Sequence, residues 1–262
     1  MFRFDIIGDI FANWGDLILA GVLSTLILAF GGTIVGLLLG VPLAYGKTII
    51  IKRYDIKIIK ALKYFLKGFC NVYSTVLRGT PMMVQALIFK YGCQALGLNW
   101  GNIIFPGQIN TVLNGWFIAG FIVITFNTAA YMGEVVISGI NGVDTGQLEA
   151  AKSLGISSKK ASFSIILPQA IRNSLPTIGN ELIINIKDSS VLNVIAVTEL
   201  YYRLISIASS TYAFLEVYLI LAVIYLVMTI LTGFLLKLVE KKLDGQKISL
   251  NPFGRFKRSI YA

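Results

Sequence analysis

The chain has 262 residues, 56% of them hydrophobic and only 14% charged, with a mean hydropathy of +0.76. Soluble domains carry about 25% charged residues, so this composition excludes an ordinary soluble domain and marks a membrane protein. The net charge is +10 and there is no histidine, which excludes Ser-His-Asp and Cys-His catalysis and histidine metal sites.

Phe2, Arg3, Phe4 and Asp5 precede the first apolar run, residues 17–45. That run is longer than the roughly 7–15 residues of a signal-peptide core, so it predicts a retained first span. Within it Gly32, Gly36 and Gly40 stand four apart and give a face without side chains, suited to close helix packing. Residues 40–48 read GVPLAYGKT, a near miss for a phosphate-binding loop. Five residues rather than four separate its glycines, and it ends a span instead of joining strand to helix, so the chain is not expected to bind ATP itself.

A basic stretch follows, with Lys47, Lys52, Arg53, Lys57, Lys60, Lys63 and Lys67 against Asp55 alone. Lys57, Lys60, Lys63 and Lys67 recur at helical spacing, with Ile58, Ile59, Leu62, Phe65, Leu66 and Phe69 on the other side. This predicts an amphipathic helix at the cytoplasmic interface. The Arg78-Gly79-Thr80-Pro81 run predicts a break, with Thr80 as helix cap and Pro81 at the first helical position. Further spans are predicted at 81–98, 114–137, 174–197 and 212–236, about five in all. The two cysteines, Cys70 and Cys93, lie in or near apolar stretches and predict no disulfide framework.

Charge sets the orientation. Most of the 23 basic residues fall in three segments: the stretch after the first span, the loop 139–172, and the tail 237–262. Residues 91–113 hold none, and the N-terminus sets Arg3 against Asp5, Asp9 and Asp16. Lysine and arginine collect on the cytoplasmic side, so the N-terminus is outside and the C-terminus inside.

Polar residues inside the spans are the candidate site. Glu134 closes the third span, and the fourth holds Glu181, Asn185, Lys187 and Asp188. Ionisable groups at membrane depth face a cavity or pair with one another. One reading has Lys187 pairing with an acid to fix packing. The other has Glu134, Asn185, Asp188, Gln85 and Ser189 lining a substrate pocket, with Asn185 and Asp188 on one helix face.

The loop 139–172 predicts two short helices. Asp144 caps the first and Gln147 reaches back to it, Gly155 ends it, Ser157 or Ser158 starts the second, and Pro168 interrupts or kinks the chain. Within it stand Glu149-Ala150-Ala151, Gly155 six residues after Glu149, Ile165 and Leu167-Pro168. This pattern resembles the EAA loop of ATP-binding-cassette importer permeases. Arg78-Gly79-Thr80-Pro81, Glu134, Gln169, Arg172, Pro176, Asn180 and Lys187-Asp188-Ser189-Ser190 resemble the polar amino acid subfamily, relatives of histidine, glutamine and arginine permeases. Ser138 departs from the arginine often found there, and the tail after Gly245 is longer than usual.

The resemblance implies an all-α type I importer transmembrane domain, a multi-pass protein of a bacterial-type cell membrane. It implies that 1–262 form one permease domain with a coupling loop at 139–172. Gln147, Glu149, Ala150, Ala151, Leu154 and Gly155 would contact the ATPase. The implied partners are two ATPase subunits, a second permease copy or a related chain, an external solute-binding protein, a small amino acid and membrane lipid, with no nucleic acid. The chain would be a transport subunit and no enzyme, with no cofactor of its own; ATP and magnesium would sit in the partner ATPase. Two other readings are a proton-coupled secondary transporter using Glu134 and Asp188, and an importer permease for a non-amino-acid solute.

Overall fold

The computed structural model describes residues 4–107 and 112–243. It is built of helices: α1 (Phe4–Thr48), α2 (Lys57–Gly79), α3 (Met82–Ala95), α4 (Gly115–Asn141), α5 (Gly146–Ser153), α6 (Ser158–Ala161), α7 (Leu167–Asp188), α8 (Leu200–Thr211) and α9 (Phe214–Leu243). Helices α1, α4 and α9 are each long and apolar enough to cross a membrane alone. Ser162–Ile195 and Leu200–Thr211, bent by 57°, make a fourth candidate span. Helices α2 and α3 occupy the place of the remaining one among about five. At 14 residues, α3 rises only about 21 Å, short of a bilayer core of about 30 Å.

Helix α1 begins well before the apolar run that predicts it. Asp5, Asp9 and Asp16 interrupt the hydropathy, but Ile6, Ile7, Ile10 and Ile18 keep helical spacing. Ile10 and Ile18 are buried with Leu200, Leu204 and Ile207, so packing against α8 extends the helix outward.

The glycine face of α1 lies on α4. A Cβ on Gly32 would sit 2.9 Å from Ile124, on Gly36 2.8 Å from Thr128, and on Gly40 2.7 Å from Met132. Three glycines thus let two long helices approach backbone to backbone. Helix α4 starts where its sequence predicts: Asn114 accepts a hydrogen bond from Phe117 N–H at 2.9 Å and donates to Thr198 at 2.9 Å.

The break at Pro81 is built differently from the expected cap. Thr80 is extended, as a residue before proline prefers, and its hydroxyl donates back to the Val76 carbonyl at 2.8 Å. Gln85 closes the break. Its amide donates to the carbonyls of Leu77 (2.8 Å) and Thr80 (2.9 Å), carbonyls without helical partners at the end of α2. Asn127 on α4 donates to Gln85 Oε1 at 2.9 Å and ties the break to the core.

Pro168 does not end the helical run, and the irregularity expected there takes the form of a π turn just before it. Residues Ser162–Ile166 form this turn, and α7 follows it without a gap. The wider turn accommodates a residue with no N–H, and Gln169 donates its side-chain amide to the Ile165 carbonyl at 2.9 Å. Both cysteines are free. Of the basic tail, Lys237, Lys241 and Lys242 fall on α9, while Lys247, Arg255, Lys257 and Arg258 lie outside the described residues.

Candidate functional site

Two regions carry the candidate residues: the knob formed by α5 and α6, and a polar interior between α1, α4 and α7.

The knob starts at Asp144, whose Oδ1 accepts from Gly146 N–H at 2.8 Å. The expected reciprocal cap is not what starts α5: Gln147 bonds through its backbone N–H to the Asp144 carbonyl at 3.1 Å, and its side chain is exposed. The reason is spacing. Thr145, not Asp144, is the residue flanking the helix, so Gln147 sits one position too early to reach back.

The other end follows the prediction. Gly155 has φ +76°, in the left-handed region. Gly155 N–H donates to the Lys152 carbonyl at 2.9 Å and Ile156 N–H to the Ala151 carbonyl at 3.0 Å. This paired closure is a Schellman motif, and it turns the chain sharply into α6. Ser157 Oγ then accepts from Lys160 N–H at 3.4 Å and starts α6.

The two alanines face different ways, turned by about 100°. Ala151 is buried against the rest of the chain, whereas Ala150 is exposed beside Gln147 and Glu149, and Leu154 is 79% exposed. Gln147, Ala150 and Leu154 share one side of the helix, at the i, i+3, i+7 spacing of a docking face.

In the interior, Asn185 is the hub. It is 3% exposed, donates to Thr33 at 2.9 Å and to Thr128 at 3.1 Å, and so joins α7 to α1 and α4. Ser189 is buried and bonds the Ile186 carbonyl at 2.9 Å. Asp188 lies one turn beyond Asn185, half-buried, with no hydrogen bond or ion pair among the described residues. Glu181 is half-buried too, and Glu181, Asn185 and Asp188 share one stripe of α7 at i, i+4, i+7. Glu181, already among the polar residues of the predicted fourth span, therefore joins the pocket candidates on a spacing legible in the sequence.

Glu134 stands apart. Its carboxylate takes a bond from Lys47 Nζ and an ion pair from Arg78 at 2.9 Å, and Arg78 also covers the Tyr131 ring at 5.6 Å. The ion-pair partners of Glu134 are thus Lys47 and Arg78, whereas Lys187 is exposed and forms no ion pair among the described residues, its charge acting on the adjacent Asp188 only. Lys187 projects off the Glu181–Asp188 stripe, because neighbouring helical residues are turned by about 100°. Thr128 holds Asn185 and Glu134 comes six residues later, about 9 Å of helical rise away. The structure therefore brings Gln85, Asn127, Thr128 and Asn185 to one level of α4, and places Glu134 at another. Glu134 borders a cavity of about 200 Å³ shared with Val135, Ser138, Gly139, Asn173, Ser174 and Thr177.

Sequence patterns gave no sign of Glu199. It is wholly buried, caps α8 through the N–H groups of Tyr201 and Tyr202 at 2.9 Å, and accepts from Tyr225 on α9 at 2.9 Å. It sits at the helix start that needs an acceptor, but only the bend before α8 reveals that start.

A polar interior that holds Glu181 and Asp188, crossed by long apolar helices and attached to an exposed helical knob, fits a membrane transport component. Residues 58–245 match the family described as the binding-protein-dependent transport system inner membrane component, and the chain belongs to that family. It is 34% identical over 229 residues to the arginine transport system permease protein ArtQ of Bacillus subtilis, covering 87% of this chain and 93% of that one. It is 34% identical to the putative glutamine transport system permease protein GlnP of Rickettsia prowazekii, covering 86% and 92%. Among solved structures, a crystal structure of an amino acid ABC transporter with histidines has a similar chain. That chain has a TM-score of 0.74 and 35% identity, over 88% of this chain and 96% of its own length. A chain of the MetNI methionine ABC transporter shares the fold at TM-score 0.63 and 17% identity.

Proposed function

We propose that the chain is the membrane-spanning permease subunit of an ATP-dependent importer of a polar amino acid, with a preference for cationic substrates. The observation that carries this reading is the α5 knob, closed by Gly155 and presenting Gln147, Glu149, Ala150 and Leu154 outward. The knob suits docking to a separate ATPase, whose two states would bias two arrangements of the helices. Two ATPase subunits, a dimer of permease chains and an external binding protein complete the machine in this reading. The relatives named for arginine and glutamine support an amino acid as cargo.

The acids favour a cation. Glu181 and Asp188 on α7 would attract an ammonium or guanidinium group, while Glu134 beside the cavity is already neutralised by Lys47 and Arg78, and Asn185 and Gln85 hold the helices around the path. Asp188→Asn is expected to raise the KM for arginine uptake about tenfold, roughly 1.4 kcal/mol, with a smaller effect on glutamine. Equal losses for both amino acids would remove Asp188 from substrate recognition.

The decisive experiment reconstitutes the permease with its ATPase and binding protein in vesicles. Uptake of labelled amino acids should require ATP hydrolysis and the binding protein. Uptake by this chain alone, driven by a pH gradient and indifferent to ATP, would establish the secondary-transporter reading instead.

A further inference from the structure

The turn between α1 and α2 is built more firmly than a simple connector requires. Asp55 Oδ2 accepts from Lys52 N–H at 2.8 Å and from Lys63 Nζ at 2.7 Å, and Asp55 N–H returns to the Lys52 carbonyl at 3.2 Å. Lys63 Nζ also donates to the Ile50 carbonyl at 3.2 Å. One acid and one lysine thus fold the turn back onto α2. The Lys63 hydrogen bond, with the Lys52 N–H, holds the Asp55 carboxyl below its ordinary range, so the clasp stays ionised at cellular pH.

This clasp uses the one acid of the segment. Lys47 is committed to Glu134 and Lys63 to Asp55. Arg53, Lys57, Lys60 and Lys67 have no carboxylate partner among the described residues, and Lys52, whose Nζ lies over the Tyr54 ring at 5.5 Å, feels the Asp55 charge without forming an ion pair. Concentrated cations of this kind repel one another unless anions come to them.

The neighbours of these cations are apolar and exposed. Ile50, Tyr54, Ile56 and Ile58 all project from the surface of the chain. From Ile58 an exposed stripe continues along α2 through Leu62, Phe65, Phe69, Val72 and Val76, opposite the lysine face. Water would make that stripe costly. A nucleic acid or an acidic peptide would neutralise the lysines and leave the stripe wet. A lipid leaflet satisfies both faces at once, since headgroup and acyl chain lie side by side at the interface.

We propose that the α1–α2 turn and the first two turns of α2 form a binding site for anionic phospholipids of the inner leaflet. Lys52, Arg53, Lys57 and Lys60 take the phosphate-bearing headgroups, and Tyr54, Ile56 and Ile58 take the glycerol and upper acyl region. Asp55 and Lys63 are positioning residues that hold the turn against α2. The assignment does not depend on which solute is transported.

The test uses the full-length protein, purified in detergent, delipidated, and titrated with phosphatidylglycerol or phosphatidylcholine, with bound lipid counted by native mass spectrometry. The wild type should retain phosphatidylglycerol about tenfold better than phosphatidylcholine, as a few lysines near a charged headgroup allow. The Lys52→Gln/Arg53→Gln/Lys57→Gln/Lys60→Gln variant should lose that preference. A control removes the same charge from the tail with Lys247→Gln, Arg255→Gln, Lys257→Gln and Arg258→Gln, and should keep it. Asp55→Asn leaves every cation in place and should weaken retention by loosening the turn. An unchanged preference in the quadruple variant overturns the proposal, and so does an equal loss in the tail control, which would mean bulk charge only. If the quadruple variant does not fold, the exchange of Lys52, Lys57 and Lys60 for arginine decides. Retained preference there together with loss in Asp55→Asn supports the site, and no loss in Asp55→Asn overturns it.

Discussion

Gly40→Val is expected to cost the protein most of its folded yield. A Cβ at Gly40 meets Met132 Cβ at 2.7 Å and the Gly133 backbone nitrogen at 2.9 Å. A flexible side-chain tip could turn away; backbone cannot. The helices must then separate, and the neighbouring crossings at Gly36 and Gly32, each closer than 3.0 Å for an added Cβ, open with them. Overpacking of a tight core costs about 1–3 kcal/mol and occasionally more. At roughly 2–4 °C per kcal/mol for a chain of this size, the thermal midpoint should fall by several degrees or more. Separation of α1 from α4 also moves Lys47 from Glu134 and Thr33 from Asn185, so the polar interior is lost with the packing. The control is Gly92→Ala, in α3, where an added Cβ meets nothing within 4 Å. It should be neutral or mildly stabilising because alanine is the better helix former. Fluorescence-detected size-exclusion chromatography after a heat ramp measures both. A wild-type midpoint for Gly40→Val would mean that α1 and α4 do not meet at this glycine.

The same crossing indicates what a sequence can disclose. Four-residue spacing of Gly32, Gly36 and Gly40 announces a packing face, because it is local to one helix. Its partners Ile124, Thr128 and Met132 are about ninety residues away, and no pattern names them. Gly155 was legible for the same local reason: a left-handed residue must end α5, and glycine does so without strain. The break at Pro81 was legible, but the clasp formed by Gln85 was not, since it depends on a side chain reaching back eight residues to Leu77. Hydropathy misplaced the start of α1 because Asp5, Asp9 and Asp16 dilute the average, although Ile6, Ile7 and Ile10 hold the helical period. The polar interior was legible as a set of residue types and only partly as a geometry. Charge pairing is decided by which helix ends meet, so Glu134 found Lys47 and Arg78, and Lys187 stayed outside.

Gly155→Val should uncouple transport from ATP hydrolysis while leaving the membrane helices folded. Nothing lies within 4 Å of an added Cβ at Gly155, so the substitution creates no clash inside the permease. The penalty is in the backbone, where φ is +76°. A β-branched residue there is strained by on the order of 1–3 kcal/mol. The least costly relief is to abandon the left-handed turn, and with it the hydrogen bonds from Gly155 to Lys152 and from Ile156 to Ala151. Without them α5 no longer ends in a fixed direction, and Leu154, Ala150 and Gln147 lose their shared presentation. If that face docks the ATPase, substrate-stimulated ATP hydrolysis and uptake should both fall, by about tenfold for each 1.4 kcal/mol lost at the contact. Gly155→Asn should retain more activity than valine, because asparagine tolerates the left-handed region. The graded series glycine, asparagine, valine therefore separates a role for backbone direction from mere loss of a small residue. The assay is ATP hydrolysis and uptake by the reconstituted complex, with the thermal midpoint of the permease as the folding control. Full coupling in Gly155→Val, at a wild-type midpoint, would remove the knob from the energy-transfer path and return α5 to the status of a connector.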